Sequence, residues 1–301
     1  MANNFRIVCL GDSIVWGQGL LPNEKFNTLV QQALLPKYPG GVTLESVAHS
    51  GAVIGATGAS GTPQVGEVPA SRLSIIEQCD GYNNAPDNVD LVLMDGGIND
   101  VGVASILNPF SLIPRLSQRV QHACHDGMVV LLKKVTAKFS KPSCKILVTG
   151  YYAILSGRSD PVGVTKILSL FGIAVPDFLD KDLDFINPVL DRCEAFYKDS
   201  NQQLKQAVVD VGDPRVTFVP TGFTDANSVF VPGTSLLWAL DLDDDMSPLD
   251  PAAPARHPLC DIAHSDPAQL LDRELCYRAS AGHPNVQGAV QFSKQILAAI
   301  P

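Results

Sequence analysis

Apolar residues in this chain gather in short, nearly continuous runs, separated by longer stretches in which they recur every three or four positions. The runs predict strands over 5–11 (FRIVCLG), 42–51 (VTLESVAHSG), 90–95 (DLVLMD), 144–152 (CKILVTGYY) and 215–221 (RVTFVPT). The recurring stretches predict helices over about 27–35, 113–133 or beyond, 188–209 and 285–299. Pro36 and Pro39 end the first of them, because proline cannot donate to a continuing helix. Apolar strands alternating with long helices define an α/β fold: a three-layer α/β/α sandwich around a mostly parallel central sheet of about five strands. Ligands of such sheets sit at the carboxyl ends of the strands. The unusual residues of this sequence fall at those ends.

Two stretches exceed a minimal α/β unit. Residues 155–184 are apolar and contain KILSLFGIAVPDFL, whereas 229–276 are rich in Pro and Asp with little periodicity. No repeat and no linker interrupts the 301 residues, so they read as one domain, 1–301, with inserts at about 155–184 and 229–276. The run Asp241-Leu-Asp-Asp-Asp245 reads as an exposed acidic turn, since neither EF-hand spacing nor a terminal Glu follows.

Charge narrows the partners. With 22 basic against 31 acidic residues the formal charge is −9, the wrong sign for nucleic acid or an anionic membrane surface. It says nothing against neutral lipids or small esters. Every apolar run is too short for a transmembrane segment. The opening MANNFRIVCLGDS carries no leader pattern, which fits a cytoplasmic protein or a secreted one whose leader is absent. Of seven cysteines, Cys9 falls inside a strand pattern and reads as a buried thiol. Cys260 and Cys276 flank a loop and can pair in an oxidising compartment. Without CxxC or clustered histidines, neither a metal nor another cofactor is expected. Nothing in the sequence indicates an oligomeric state.

Four strand or loop ends carry chemistry. Gly11-Asp12-Ser13 places a serine at a strand-to-helix junction, where its hydroxyl and N–H can serve acyl transfer; an ordinary N-cap serine reads the same way. His49-Ser50-Gly51 offers a glycine N–H unobstructed by a side chain. The following Gly55, Gly58 and Gly61 match neither a dinucleotide fingerprint nor a phosphate loop, and read as a flexible loop beside the site. Gly96-Gly97-Ile98-Asn99-Asp100 offers an amide donor, or an Asx turn. Gly282-His283, just before the last helix, offers a general base or a loop histidine.

Together and in this order the four blocks resemble the GDSL-like, or SGNH, hydrolases over the whole chain. The resemblance implies that Ser13 is the nucleophile and His283 the general base. It also implies an oxyanion hole made by Gly51, the Asn99 side chain and the Ser13 N–H. One position departs from the family pattern, in which an acid stands three residues before the histidine: here it is Ser280. A hydroxyl brings no negative charge to an imidazolium. Three arrangements fit: a backbone carbonyl near Ser280, a carboxylate from elsewhere (Asp266, Asp272 and Glu274 are nearest in sequence), or a protein with little activity. The carbonyl is preferred. Asp12 and Asp100 are expected to close turns.

The expected reaction is ester hydrolysis through an acyl-enzyme. The apolar Ile167, Leu168, Leu170, Phe171, Ile173, Val175, Phe178 and Leu179 read as an acyl-chain cover or as a core-completing hairpin. Tyr151, Tyr152, Phe223 and Trp238 are candidates for the pocket wall. A lipase or carboxylesterase acting on a small-molecule ester, such as a lipid, ranks first. A carbohydrate O-acetyl esterase is the alternative, and a non-catalytic binding module on the same fold is the reading from a different class.

Overall fold

The strand at the centre of the sheet is apolar on both faces because both faces are covered. The computed structural model describes residues 4–56, 67–69, 73–173, 183–242 and 245–300. Its five strands are β1 (Phe5–Leu10), β2 (Val42–Ser46), β3 (Leu91–Met94), β4 (Lys145–Thr149) and β5 (Val216–Val219). They pair in parallel in the order β2-β1-β3-β4-β5, with Cys9 in register with Ser46 on one side and Leu93 on the other. Every residue of β3 is buried, while the edge strands β2 and β5 alternate with exposed positions. This is the three-layer α/β/α sandwich with a parallel five-stranded sheet that the sequence pattern predicts.

Twelve helices among the described residues flank or cap the sheet. In chain order they are α1 (Ser13–Trp16), α2 (Phe26–Leu34), α3 (Ile75–Gly81), α4 (Ile98–Val101), α5 (Val103–Leu107) and α6 (Ile113–Val120). There follow α7 (Met128–Lys138), α8 (Pro161–Leu170), α9 (Leu183–Val211), α10 (Ala253–Ala263), α11 (Leu270–Tyr277) and α12 (Val286–Ala299). On one face α2 packs against α12, with the Phe26 and Phe292 rings 5.3 Å apart. On the other face α7 sits between α3 and α9. Two helices far apart in sequence, α2 and α12, are therefore neighbours.

Several boundaries differ from the sequence expectation for physical reasons. β2 stops at Ser46 rather than 51, because the next amides turn inward: Val47 and Ala48 N–H both donate to the Cys9 carbonyl at 3.0 and 3.2 Å. The helix predicted over 113–133 reaches Lys138, through a π-helical stretch at Gln121–Gly127. α9 begins at Leu183 and carries Pro188 inside it rather than at its start. α12 opens as predicted on Asn285, whose side chain accepts from the Gly288 N–H at 3.0 Å.

Among the described residues the disulfide joins Cys260 to Cys276 and ties α10 to α11, while Cys9, Cys79, Cys124, Cys144 and Cys193 are buried thiols. No helix of the described residues is long and apolar enough to cross a membrane. Of the acidic run, residues 243 and 244 lie outside the described residues, as do Gly58, Gly61, Val175, Phe178 and Leu179.

Candidate active site

The end of β1 is built for a tight exit. Gly11 has φ +150°, and a Cβ there would come within 2.0 Å of Asp95 Oδ1, so the position requires glycine. The Gln78 side chain brackets this turn from both sides: Gly11 N–H donates to Oε1 at 2.9 Å, and Nε2 donates to the Gly11 carbonyl at 3.0 Å. Asp12, not Ser13, is the cap of α1, with Oδ1 accepting from the Ile14 N–H at 2.9 Å. Ser13 is thus the first helical residue, and its hydroxyl is left for other partners.

Its partner is His283. The imidazole Nε2 lies 2.7 Å from Ser13 Oγ across 270 positions of sequence. The histidine loop is fixed by backbone pairing with residues 236–238: Gly282 N–H donates to the Trp238 carbonyl at 2.9 Å, and Trp238 N–H to the His283 carbonyl at 2.8 Å. Tyr152 Oη donates to the Gly282 carbonyl at 3.0 Å and holds the loop from the β4 side.

Gly51 and Asn99 line the same cavity as Ser13 and His283. Gly51 has φ +79°, which favours glycine there. Asn99 Nδ2 donates to the Ala52 carbonyl at 2.9 Å, leaving its second amide proton for a ligand. Asp100 Oδ2 accepts from the Ile54 N–H at 3.0 Å, so the Gly51 and Asn99 turns are laced together. The structure thus brings Ser13, Gly51, Asn99 and His283 to one place.

Beneath the serine lies a pair of buried carboxyls. Asp95 Oδ1 accepts from the Asp12 N–H at 2.8 Å. Burial raises the pKa of both, and the nearby Asp12 charge adds to the rise at Asp95, which goes well above the usual range. Asp12 also takes bonds from the Ile14 amide and the Tyr151 hydroxyl, so it is the one that keeps the charge.

The cavity has a volume of about 350 Å³. Its apolar wall includes Val103, Leu107, Ile154, Ile167, Leu170 and Phe171, and its rim carries His264, Asp272 and Arg278. Of the predicted cover, Ile167, Leu170 and Phe171 reach the cavity, while Leu168 is buried in the core. Of the four aromatic candidates only Tyr152 lines it. Tyr151 points the other way and is fully buried against Phe196, Phe223 stacks behind Tyr152, and Trp238 packs on Gly19. Adjacent residues leaving a strand face opposite ways, and that decides between the two tyrosines.

Among the described residues His283 Nδ1 is buried and has no hydrogen-bond partner, carboxylate or otherwise. The Ser280 and Ala279 backbone and the Asp250 charge favour the protonated ring, and the Arg256 charge opposes it. Asp266 instead caps the turn at Ala268, Asp272 faces the cavity, and Glu274 pairs with Arg278. None of these three orients the ring. The surrounding protein pushes the His283 pKa down to about 4, with desolvation the main cause. The open cavity face of the half-buried residue works against that shift.

Sequence reading missed the residues that hold this arrangement: Gln78, Asp95 and a buried pair, Asp250 and Arg256, behind Ser280. It also missed Arg192, fully buried, which donates to the Ile106 carbonyl at 3.1 Å and to those of Ser105 and Ser111, fixing the end of α5. Only the buried context of each charge distinguishes it, and sequence alone does not show burial.

The layers and strand order are consistent with an SGNH/GDSL-like architecture. No family model matches the sequence, and no curated protein is recognisably similar to it in sequence. Solved structures are similar in fold. An extracellular lipase from Streptomyces rimosus superposes with a TM-score of 0.54 at 16% identity, over 99% of this chain and 100% of that one. A phospholipase A1 from Streptomyces albidoflavus gives 0.55 at 16% identity, covering 100% of each chain. A lipase from a goat rumen metagenome gives 0.52 at 13% identity, over 98% of this chain and 97% of that one. At such identities the likeness establishes a shared fold.

Proposed function

We propose that the protein is a carboxylic-ester hydrolase working through a Ser-His acyl-enzyme mechanism. The observation that carries this reading is the 2.7 Å contact between His283 Nε2 and Ser13 Oγ at the floor of an apolar cavity shared with Gly51 and Asn99. His283 removes the serine proton as Oγ attacks the ester carbonyl. The N–H groups of Ser13 and Gly51, with the free amide proton of Asn99, receive the oxyanion. His283 returns the proton to the leaving alcohol, and a water molecule activated in the same way releases the acid. The depressed basicity of His283 keeps it neutral, and so able to accept a proton, at ordinary pH. The chain works as one domain, 1–301, because both of its ends enter the site.

The substrate class follows from the wall. Aliphatic side chains from α5 and α8 suit an acyl chain, as in a lipid or other long-chain ester, better than the small acyl group and polar sugar of an O-acetylated carbohydrate. The resemblance to GDSL-like hydrolases in the four blocks supports the same reading.

The test is covalent labelling with a fluorophosphonate, combined with hydrolysis of p-nitrophenyl esters of increasing chain length. Wild-type protein should label and S13A should not, with turnover favouring chains longer than acetyl. Folded wild-type protein that neither labels nor hydrolyses any ester would leave only the binding-module reading.

A further inference from the structure

Behind the histidine, where the resembled family carries an acid, the chain has a serine and, one step further back, a buried ion pair. Ser280 is fully buried, and its hydroxyl donates to Asp250 Oδ2. Asp250 and Arg256 have side chains with no exposure, and they meet in a two-pronged contact: Nη1 to Oδ1 at 3.0 Å and Nη2 to Oδ2 at 2.7 Å. Asp250 Oδ1 also accepts from the Ala252 N–H at 3.1 Å. Arg256 also grips one carbonyl, Tyr277, to which Nε and Nη2 donate at 3.0 and 2.8 Å. The pair therefore grips the segment 277–283 twice: at the Tyr277 backbone through Arg256 and at the Ser280 side chain through Asp250.

We propose that Asp250 and Arg256 are positioning residues that clamp the 277–283 turn through Ser280, whose carbonyl accepts from the His283 N–H at 2.9 Å, so that the imidazole keeps Nε2 toward Ser13. The proposal rests on the serine-hydrolase reading, in which His283 must keep its Nε2 lone pair toward Ser13. With its backbone tied to the clamped Ser280, the ring is oriented without any carboxylate at Nδ1. The clamp works through geometry and not through charge. Arg256 and Asp250 are the charged groups that act on the ring, and they act with opposite signs: the cation disfavours the imidazolium and the anion favours it. A carboxylate already neutralised by a guanidinium contributes little field of its own, but it is a rigid anchor. Its distance of 30 positions from Ser280 places the anchor in the insert, outside the four motif blocks.

The experiment uses Ser280→Ala, which removes the hydroxyl and keeps the carbonyl. A second variant, Arg256→Lys, keeps the buried charge but cannot span both Asp250 oxygens and the Tyr277 carbonyl. Thermal unfolding verifies the fold of each. The readouts are kcat and KM on a p-nitrophenyl ester, the pH profile of kcat/KM, and 15N shifts of the His283 ring, assigned by comparison with His283→Gln. The clamp predicts that each folded variant loses kcat by ~10- to 100-fold with KM little changed. It also predicts an unmoved acid limb and a His283 ring that goes from one tautomer to a mixture. Wild-type kcat and a single tautomer in either folded variant overturn the clamp while the hydrolase reading stands. An acid limb displaced to lower pH with kcat intact also overturns it, because Asp250 would then act by charge. A wild type that neither labels with fluorophosphonate nor hydrolyses the ester overturns both.

Discussion

The Tyr151 hydroxyl donates to Asp12 Oδ2 at 3.1 Å and accepts from the Ile98 N–H at the same distance. One phenol beyond the end of β4 thus joins the cap of the Ser13 helix to the turn that carries Asn99. Burial, with the nearby Asp12 charge, raises the phenol pKa well above its ordinary value, so it stays a donor at any working pH.

Removing that hydroxyl should disturb both halves of the site. Tyr151→Phe leaves the Ile98 N–H unpaired and Asp12 short of a donor. It is expected to cost about 1–3 kcal/mol of stability. Denaturant unfolding measures the loss. A kcat/KM that falls while stability holds would place the effect on site geometry instead.

Asn99→Ala should reduce kcat by on the order of 100-fold or more, about 3 kcal/mol of transition-state stabilisation, with KM little altered. Steady-state kinetics on a single ester separates the two constants. An Asn99→Ala variant with raised KM and normal kcat would make the side chain a binding contact rather than an oxyanion donor.

His283 gives activity and stability a shared pH signature. Desolvation lowers its pKa to about 4, so the acid limb of kcat/KM should lie well below the ordinary histidine value of 6.5. In the folded state the ring binds fewer protons than in the unfolded chain between those two values. Stability should therefore fall as pH drops from about 6.5 towards 4, and rise in the reverse direction. Asp95 opposes this slope, because its pKa is raised on folding and its contribution is lost as pH rises. Urea unfolding across this range isolates the histidine by comparison with His283→Gln, which should flatten the histidine part. Equal slopes for the two proteins would show that the ring titrates alike in both states.

The Cys260–Cys276 bond closes a separation of 16 residues. Replacing both cysteines by serine should cost about 3 kcal/mol on a chain-entropy estimate. The effect should extend to turnover, since Leu275 and Cys276 of α11 line the cavity and the same chain runs on to His283. Calorimetry and ester hydrolysis with and without reductant check both parts. The five buried thiols should stay inert to a thiol reagent until the protein unfolds.

The sheet was legible because its strands are buried on both faces or pattern clearly against the core: Leu91–Met94 announces itself by composition alone. The four motif blocks were legible because each interrupts such a run at its carboxyl end. The supports around them were not. Asp250 lies in a Pro- and Asp-rich segment without periodicity, and its neighbours in sequence resemble any exposed turn. Nothing local tells that Tyr151 faces the buried carboxyls while Tyr152 faces the cavity. Positions fixed by tertiary burial of polar groups leave no mark in the spacing of apolar residues.

The packing of α2 against α12 carries a consequence in time. A ribosome releases Ser13 some 270 positions before His283 and the helix that braces its loop. On the serine-hydrolase reading, a polypeptide halted between the two has a nucleophile without its base, and the capacity to attack an ester arises only once both segments have folded together.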